Sequence, residues 1–271
     1  MATTLRPEPA RAAGPQSPGS VVIELEGVHK ALDGVPVLLG LDLQVRQHET
    51  LVIIGRSGSG KSVTLKHIVG LLAPDRGTVR IFGKDMTKVS RRDLLSIRLR
   101  IGYLFQSGAL INWLRIDENV ALPLRTHRRD LGPEAVASRV REKLELVELS
   151  GAAGKHPGEI SGGMKKRAGL ARAIILDPEV ILYDEPTSGL DPVMAGAIND
   201  LVIHTREALG VAQVVVTHDM ESAYRIADRI AMLYEGRIIA TGTPGEIRAS
   251  ADPVVRQFIT GSPTGPITNG G

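Results

Sequence analysis

The chain contains no cysteine and few aromatic residues, which make up 3% of its 271 residues. The lack of cysteine excludes disulfides, thiolate metal ligands and cysteine nucleophiles. With so few aromatic side chains, the core must be built from Val, Ile, Leu and Ala, which is typical of parallel α/β sheets. The hydrophobic content of 42% is sufficient for one large domain or two small ones.

Long hydrophobic runs are also missing. No apolar run approaches the roughly 20 residues of a membrane-spanning helix, and the N-terminus lacks the hydrophobic region of a signal peptide. The net charge of +3 is spread in short clusters, whereas nucleic-acid binders more often carry a basic stripe with interleaved aromatics. We therefore expect a soluble chain that faces the cytoplasm, reaches a membrane only through a partner and binds no nucleic acid.

Composition divides the chain into a central domain and two tails. Residues 1–20 are rich in Pro, Ala, Gly and Ser and have no periodicity, which predicts a disordered tail. We expect one domain over residues 21–250 and a C-terminal tail over residues 251–271. Within the domain, residues 90–165 carry Leu, Arg and Glu at helical spacing, which predicts a helical subdomain.

Short β-rich runs lie on both sides of the helical segment. The runs Val21 to Leu25, Leu41 to Val45 and Gly77 to Phe82 predict an antiparallel layer, and the runs from Val180 onward alternate with helices in the doubly wound pattern. The predicted fold is therefore α/β, with a parallel sheet, an antiparallel β layer and a helical subdomain.

The segment Gly55–Ser62 has the sequence GRSGSGKS, which fits the P-loop pattern G-x-x-x-x-G-K-[ST]. It follows the apolar run Leu51 to Ile54 and precedes a predicted helix, Val63 to Leu72, whose N-terminus faces the anion. Lys61 supplies a positive charge for the β- and γ-phosphates, and the Ser62 hydroxyl is the expected Mg²⁺ ligand. The candidate nucleotide-binding residues of this loop are Gly55, Arg56, Ser57, Gly58, Ser59, Gly60, Lys61 and Ser62.

A second apolar run, Val180 to Tyr183, ends in the acids Asp184 and Glu185. At the C-terminal end of a parallel strand, these carboxylates would emerge beside the P-loop. Asp184 is suited to hold Mg²⁺ through its water shell, and Glu185 is placed to accept a proton from an attacking water. The alternative is that both acids only cap the following helix.

Three further segments accompany these motifs: ISGGM at Ile160–Met164, DEPTSGLD at Asp184–Asp191 and VTHD at Val216–Asp219. Together with Gln106, which follows a strand-like run, they resemble the ABC-transporter ATPase family in order and spacing. The resemblance extends over residues 21–250. It implies a P-loop core with an antiparallel β layer and a helical subdomain, and it implies ATP hydrolysis with Mg²⁺.

The ISGGM segment predicts a second anion site. Ser161, Gly162 and Gly163 open a helix, so their N–H groups and the helix dipole favour an anion. The helix after the P-loop already serves the chain's own nucleotide, so this second site makes most sense if it serves another subunit. The family resemblance implies the same, with two ATP molecules enclosed in a head-to-tail homodimer.

The resemblance also implies roles for single residues. Gln106 would contact the magnesium site, together with Ser62 and Asp184, and link it to the helical subdomain. His218 would reach the γ-phosphate and position Glu185 and water. In the same way, the D-loop acid Asp191 would cross the dimer interface.

Two residues depart from the family pattern. Met164 is the last residue of the ISGGM segment, which corresponds to the signature motif of the family. Members usually have Gln at this position, and a thioether offers almost no hydrogen bonding. Leu32 aligns with the position at which many members stack an aromatic ring on adenine. We therefore expect weaker discrimination between nucleotide bases.

Met164 followed by the basic run Lys165–Arg167 is similar to the ATPases of MCE-protein lipid transporters, the Mla type. Shorter similarities support this at Leu104–Leu110, Asn119–Leu124 and Asp252–Ile259. The resemblance implies phospholipid or another lipid as cargo, an integral-membrane permease and an MCE-domain lipid-binding subunit as partners, and a peripheral position at the cytoplasmic face of the inner membrane. For the basic run itself, the alternative is a solvated helix face.

Other functions stay open at this point. The soluble subunit of an importer for another solute would look nearly identical. A non-transport ABC ATPase would more often carry coiled-coil or zinc insertions, and a P-loop kinase would have no reason for the ISGGM and VTHD segments. The apolar loop Gly108–Arg115 contains Trp113, the only tryptophan, which is either a contact for a permease or a local core anchor.

Overall fold

The computed structural model describes residues 19–269. In this part of the chain the strands are β1 (Val21–Leu32), β2 (Val35–Arg46), β3 (Thr50–Ile54), β4 (Arg76–Ile81), β5 (Lys84–Asp85), β6 (Ile101–Leu104), β7 (Val180–Asp184), β8 (Ala212–Thr217), β9 (Arg229–Tyr234) and β10 (Arg237–Gly242). The helices are α1 (Lys61–Ile68), α2 (Arg91–Arg98), α3 (Ile116–His127), α4 (Pro133–Leu146), α5 (Gly162–Ile174), α6 (Pro192–Leu209), α7 (Met220–Ile226), α8 (Pro244–Arg248), α9 (Pro253–Thr260) and α10 (Pro266–Asn269). The predicted tail at residues 1–20 lies outside the described residues, apart from residues 19 and 20.

The strands form two sheets, as predicted. The antiparallel sheet has the order β2-β1-β4-β5. The second sheet has the order β10-β9-β3-β8-β7-β6; its strands run parallel except for β10, which pairs with β9 in the antiparallel direction. Because β3, β8 and β7 are neighbours, the loops after these three strands meet at one edge of the sheet.

Both faces of the parallel sheet are buried. In β3, Leu51 and Ile53 pack with the antiparallel layer, whereas Val52 and Ile54 pack with the helices on the other side. This division follows from the alternation of side chains along a strand. It explains why β3 is a continuous apolar run with no polar face.

The helical segment predicted for residues 90–165 includes one strand that belongs elsewhere. β6 (Ile101–Leu104) pairs in parallel with β7 and forms an edge of the main sheet. The four-residue run is short and lies among Leu- and Arg-rich sequence, so its strand character depends on pairing with Val180–Tyr183, which is distant along the chain. The compact helical part is α3, α4 and the start of α5.

The C-terminal segment, expected to be a tail over residues 251–271, contains two helices in its described part. Asp252 caps α9 by accepting hydrogen bonds from the backbone of Val254 (2.8 Å) and Val255 (3.0 Å). The side chain of Val255 is fully buried in the main core. The sequence alone did not reveal these packing contacts, because the residues that the segment packs against are distant along the chain.

Candidate functional site

The predicted motifs come together at the C-terminal edge of the parallel sheet. In the strand register, Ile54 of β3 lies opposite Thr217 of β8, and Asp184 of β7 lies opposite Val216 of β8. The P-loop, the two acids and the VTHD segment therefore lie at the ends of three adjacent strands, β3, β7 and β8. A nucleotide-sized site at this edge is the arrangement expected for open α/β sheets.

Two glycines give the P-loop its shape. A Cβ atom on Gly55 would lie 2.4 Å from the carbonyl oxygen of Leu233, so no side chain fits there. Gly60 has a φ of +104° and a Cβ there would lie 2.9 Å from the side chain of Leu38. Gly60 is also the N-cap of α1, and a helix N-terminus that follows a tight glycine loop is suited to hold phosphate.

Lys61, the first residue of α1, is buried inside the loop. Its Nζ donates hydrogen bonds to the carbonyl oxygens of Gly55 (2.7 Å) and Arg56 (3.0 Å). The same Nζ lies 3.6 Å from Glu185 Oε1. Burial lowers the pKa of Lys61, and the neighbouring Glu185 carboxylate opposes that shift. A positive charge is thus held at the centre of the loop, where an anion would compensate its burial.

An oxygen-rich cluster lies beside this lysine. The Ser62 hydroxyl donates to Asp184 Oδ1 (2.8 Å), and the Tyr103 hydroxyl donates to Asp184 Oδ2 (3.1 Å). Burial, together with the charge of Asp184, raises the pKa of Tyr103, which keeps its proton available for this hydrogen bond. Hydroxyl and carboxylate oxygens are the donors that Mg²⁺ prefers, so these residues fit the metal that the sequence predicts.

Glu185 adopts an uncommon backbone conformation, with a φ of +49°. Its carbonyl oxygen accepts a hydrogen bond from Lys166 Nζ (3.1 Å), and its backbone N–H donates to Val216 (3.0 Å). His218 Nδ1 donates to Glu185 Oε2 at 2.9 Å. Non-glycine residues with positive φ occur at sites where the surrounding structure holds them. Here contacts from α5 and β8 hold the Glu185 backbone, and His218 in the loop after β8 holds its carboxylate.

A cavity of about 650 Å³ joins most of these residues, a size suited to a small-molecule ligand. Its lining residues are Leu32, Val37, Arg56, Ser57, Gly58, Gly60, Lys61, Ser62, Val63, Gln106, Glu185, His218 and Phe258. Asp184 is connected to this cavity by its hydrogen bond with Ser62, and Gly55 and Ser59 complete the P-loop. The predicted P-loop, Gln106, Glu185 and His218 are thus brought together in one chain.

The signature residues are not part of this cavity. Ser161 and Gly162 are exposed. Ser161 is the N-cap of α5, accepting a hydrogen bond from the Met164 backbone (3.3 Å). A Cβ on Gly163 would lie 2.5 Å from the Met194 side chain, so the start of α5 packs against α6 rather than the P-loop. The helix N-terminus therefore faces solvent, away from the chain's own candidate site.

Gln106 lies between the two regions. Its side-chain amide donates to Ser188 Oγ (3.2 Å) in the segment that follows the two acids. Just after it, Arg172 of α5 donates to the carbonyl oxygens of Gly108 (2.9 Å) and Ala109 (2.7 Å). The helix α5 is therefore bonded directly to the loop that follows Gln106, and the role of Gln106 as a link between the magnesium site and the helical subdomain stays a prediction.

Asp191, predicted to cross a dimer interface, acts within its own chain as the N-cap of α6. Its Oδ1 accepts from the backbone of Val193 and Met194, each at 3.0 Å. Val193 beside it is 80% exposed. The loop before α6 thus presents both a charge and an apolar side chain at the surface.

Sequence reasoning missed three residues that contact the site: Tyr103, Lys166 and Phe258. It also missed Arg172, which bonds to the loop after Gln106. The solvated-face alternative for the basic run is wrong for Lys166, which is 5% exposed. Its pKa is lowered by burial. A basic residue two positions after Met164 is on the inner side of α5, and helical spacing from the buried Gly163 could have indicated this.

Comparison with known proteins agrees with this arrangement. The family profile described as ABC transporter matches residues 38–188. The chain is 42% identical over 250 residues to the probable ribonucleotide transport ATP-binding protein mkl of Mycobacterium leprae, covering 92% of this chain and 72% of that protein. It is 43% identical over 227 residues to the intermembrane phospholipid transport system ATP-binding protein MlaF of Haemophilus influenzae, covering 84% and 86%.

A solved structure is similar over most of the domain. It is the dimeric post-hydrolysis state of the ATP-binding cassette MJ0796 bound to ADP and Pi, with a TM-score of 0.75 and 33% identity. The match covers 82% of this chain and 98% of that chain. The fold with its two sheets and helical part is therefore the fold of an ATP-binding cassette.

Proposed function

The chain belongs to the ABC transporter family and is the ATP-hydrolysing subunit of a transporter, and we propose that two copies enclose two ATP molecules head to tail to drive a lipid permease. The proposal of a dimer rests on one observation: within a single chain, the P-loop cavity and the helix N-terminus at Ser161 are separate. The cavity holds the P-loop and Glu185, whereas the exposed helix N-terminus at Ser161 faces solvent. The dimer described for MJ0796 with ADP and Pi supports the same arrangement.

In the proposed reaction, each residue acts at a stated atom. Backbone N–H groups of the P-loop and Lys61 Nζ hold the β- and γ-phosphates and neutralise their charge. Glu185 accepts a proton from the attacking water, and His218 orients the Glu185 carboxylate through its Nδ1–H. Ser161 of the second copy would hold the γ-phosphate from the opposite side.

Mg²⁺ would be held by Ser62 and Asp184, with Gln106 at the edge of the cavity. When bound, the ion supplies positive charge that stabilises the transferring phosphoryl group. Among the described residues, no cluster of three or more His, Cys, Asp or Glu side chains could hold a metal ion by itself. This agrees with Mg²⁺ binding through few protein groups and the phosphates.

For the cargo, we propose phospholipid or another hydrophobic lipid. Support comes from the similarity to MlaF, whose name states intermembrane phospholipid transport, and from Met164 and the short runs noted in the sequence. The second candidate is import of another solute, which the name of mkl, a probable ribonucleotide transport protein, favours.

The proposed partners are an integral-membrane permease and an MCE-domain lipid-binding subunit, with this chain peripheral at the cytoplasmic face of the inner membrane. No helix in residues 19–269 is long and apolar enough to cross a membrane. Substrate recognition would therefore belong to the partner subunits, and this chain would supply the energy of ATP hydrolysis.

Co-purification from native membranes tests this proposal. We expect the tagged chain to recover a permease together with an MCE-domain subunit, and the purified complex to move fluorescent phospholipid between vesicles in an ATP-dependent way. Recovery of a different permease, with ATP-dependent uptake of ribonucleotides but not lipid, would favour the second candidate. Recovery of nucleic acid or ribosomes would contradict a transport function.

The loop after Gln106 is the proposed contact with the permease. Trp113 is 80% exposed, so it is not the core anchor that was the alternative. The loop is nevertheless well held, because Asn119 is fully buried and its amide bonds to Ile111 (2.7 and 3.0 Å), Leu114 (3.1 Å) and Arg115 (3.0 Å). An exposed tryptophan on a fixed loop is typical of an interface hot spot.

We expect Trp113→Ala to lower the affinity for the permease by about tenfold or more, since hot-spot truncations cost roughly 2 kcal/mol or more. Nucleotide binding and the fold should survive, because the ring packs little against its own chain. Co-purification with permease and lipid transfer measure the effect. The matched control is Leu71→Ala, which removes another exposed apolar side chain outside this loop. Recovery of permease at wild-type levels with Trp113→Ala would contradict the proposed contact between this loop and the permease.

A further inference from the structure

The lining of the candidate nucleotide cavity includes apolar side chains that the P-loop does not account for. Lys61, Gln106, Glu185 and His218 supply the polar groups that a triphosphate needs. Apart from the P-loop itself, the cavity lining also includes Leu32, Val37 and Phe258. Apolar side chains in a cavity that otherwise binds phosphate are suited to the part of the ligand that carries no charge, which in a nucleotide is the base.

Apart from the imidazole of His218, which bonds to Glu185, Phe258 carries the only aromatic ring among the described residues that line this cavity. It is contributed by α9, in the segment that was expected to be a tail. The ring is partly buried: it packs against the main core and also lines the cavity. The position predicted to stack on the base, Leu32, offers no ring, so the single available ring comes from the other end of the chain.

The helix that carries Phe258 is fixed relative to the P-loop. Arg56 of the P-loop donates to the carbonyl oxygen of Ile267 (3.1 Å), and the backbone N–H of Ile267 donates to Gln257 Oε1 (2.7 Å). Gln257 is 6% exposed and precedes Phe258 directly, while Val255 anchors the helix with a fully buried side chain. The P-loop and the helix that carries the ring are therefore joined through two hydrogen bonds, of which the second is buried.

We propose that Phe258 is a base-binding residue of this ATPase, stacking on the nucleotide base in the role that Leu32 does not fill. This inference rests on the proposed ATP site and adds to it a residue and a specificity. Stacking on an aromatic ring tolerates any base, because every base has a π-face. The residue should therefore strengthen binding of ATP and GTP alike rather than select between them.

The test is direct binding to the full chain with Mg²⁺, using ATP, GTP and inorganic tripolyphosphate, which has no base. We expect Phe258→Ala to lower the affinity for ATP and for GTP by about tenfold, as for loss of one base–aromatic stack. The affinity for tripolyphosphate should be unchanged. Phe258→Tyr should retain affinity, because it keeps the ring. Phe258→Leu keeps most of the packing without the ring, so it should show the loss even if the alanine variant is unstable.

The matched control is Ile259→Ala, the next residue of α9, which packs against the same core without lining the cavity. Unchanged ATP affinity in Phe258→Leu would overturn the inference. Equal loss of ATP and tripolyphosphate affinity, or an equal effect of Ile259→Ala, would also overturn it, because the helix would then act only by supporting the P-loop. If the wild-type chain bound neither ATP nor GTP, the proposed function itself would fail together with this inference.

Discussion

Lys61→Ala is expected to reduce ATP affinity by roughly 100-fold, the cost of losing a buried, charge-assisted contact to phosphate. Glu185→Gln should leave affinity nearly intact and lower turnover by about 1,000-fold, because an amide cannot accept the proton of the attacking water. The two variants therefore separate binding from chemistry. Equilibrium binding of ATP and the rate of phosphate release measure them, and Glu185→Gln should accumulate an ATP-bound dimer detectable by size-exclusion chromatography.

Each variant has a matched control, in the same helix for Lys61 and at the opposite end of β7 for Glu185. Lys66→Ala removes an exposed lysine of α1, and Glu179→Gln changes the exposed acid just before β7, which pairs with Arg100 (2.5 Å). Both should bind and hydrolyse ATP close to wild type. His218→Ala should lose hydrolysis but keep binding, since it orients Glu185 rather than the phosphates. Full hydrolysis by Glu185→Gln would exclude its role as general base.

The second large effect concerns the arrangement of two chains. In a head-to-tail dimer, a chain with Lys61→Ala paired with a chain carrying Ser161→Arg has both defects in one composite site, and the other site stays intact. If both changes are on one chain and its partner is wild type, each composite site carries one defect. We therefore expect ATPase activity to be substantially higher in the first arrangement than in the second.

The experiment requires mixed dimers purified through two different tags. Wild-type chains with both tags set the reference activity, and Ser150→Arg places the same bulky charge at an exposed position away from α5. Equal activity in the two arrangements would contradict the head-to-tail dimer. Higher activity with both changes on one chain would show that Ser161 serves the nucleotide of its own chain.

Local sequence was sufficient for the parts of the site that contiguous residues build. The loop Gly55–Ser62 is proposed to bind phosphate through its own backbone and Lys61, so its candidate residues could be predicted from their spacing alone. The buried strand before it and the strand that ends in Asp184 could also be predicted, because a strand buried on both faces reads as an unbroken apolar run. The family followed from the order of five such segments.

The sequence was less informative where an element depends on a distant partner. The strand β6 has only four residues and corresponds to the strand-like run noted before Gln106. Its place in the main sheet was not predicted, since its pairing with β7 joins residues far apart in the chain. The C-terminal helices α9 and α10 were expected to be a tail. For α9 a local signal was present, because Asp252 and Pro253 are typical of a helix start and the apolar residues that follow recur at helical spacing. The packing of Val255 and Ile267 on the domain, in contrast, joins residues that are distant along the chain.

By itself, therefore, the sequence determined the ATPase family and indicated the residues proposed to bind phosphate, since both depend on short contiguous motifs. Only the tertiary structure decided which side chains surround those motifs: the Tyr103 hydroxyl on Asp184, the Lys166 ammonium on the Glu185 backbone and the Phe258 ring in the nucleotide cavity. Each of these contacts joins residues of different elements, and their proximity is set by how the sheet and helices pack. For the same reason, only the folded chain shows that Ser161 faces away from its own P-loop.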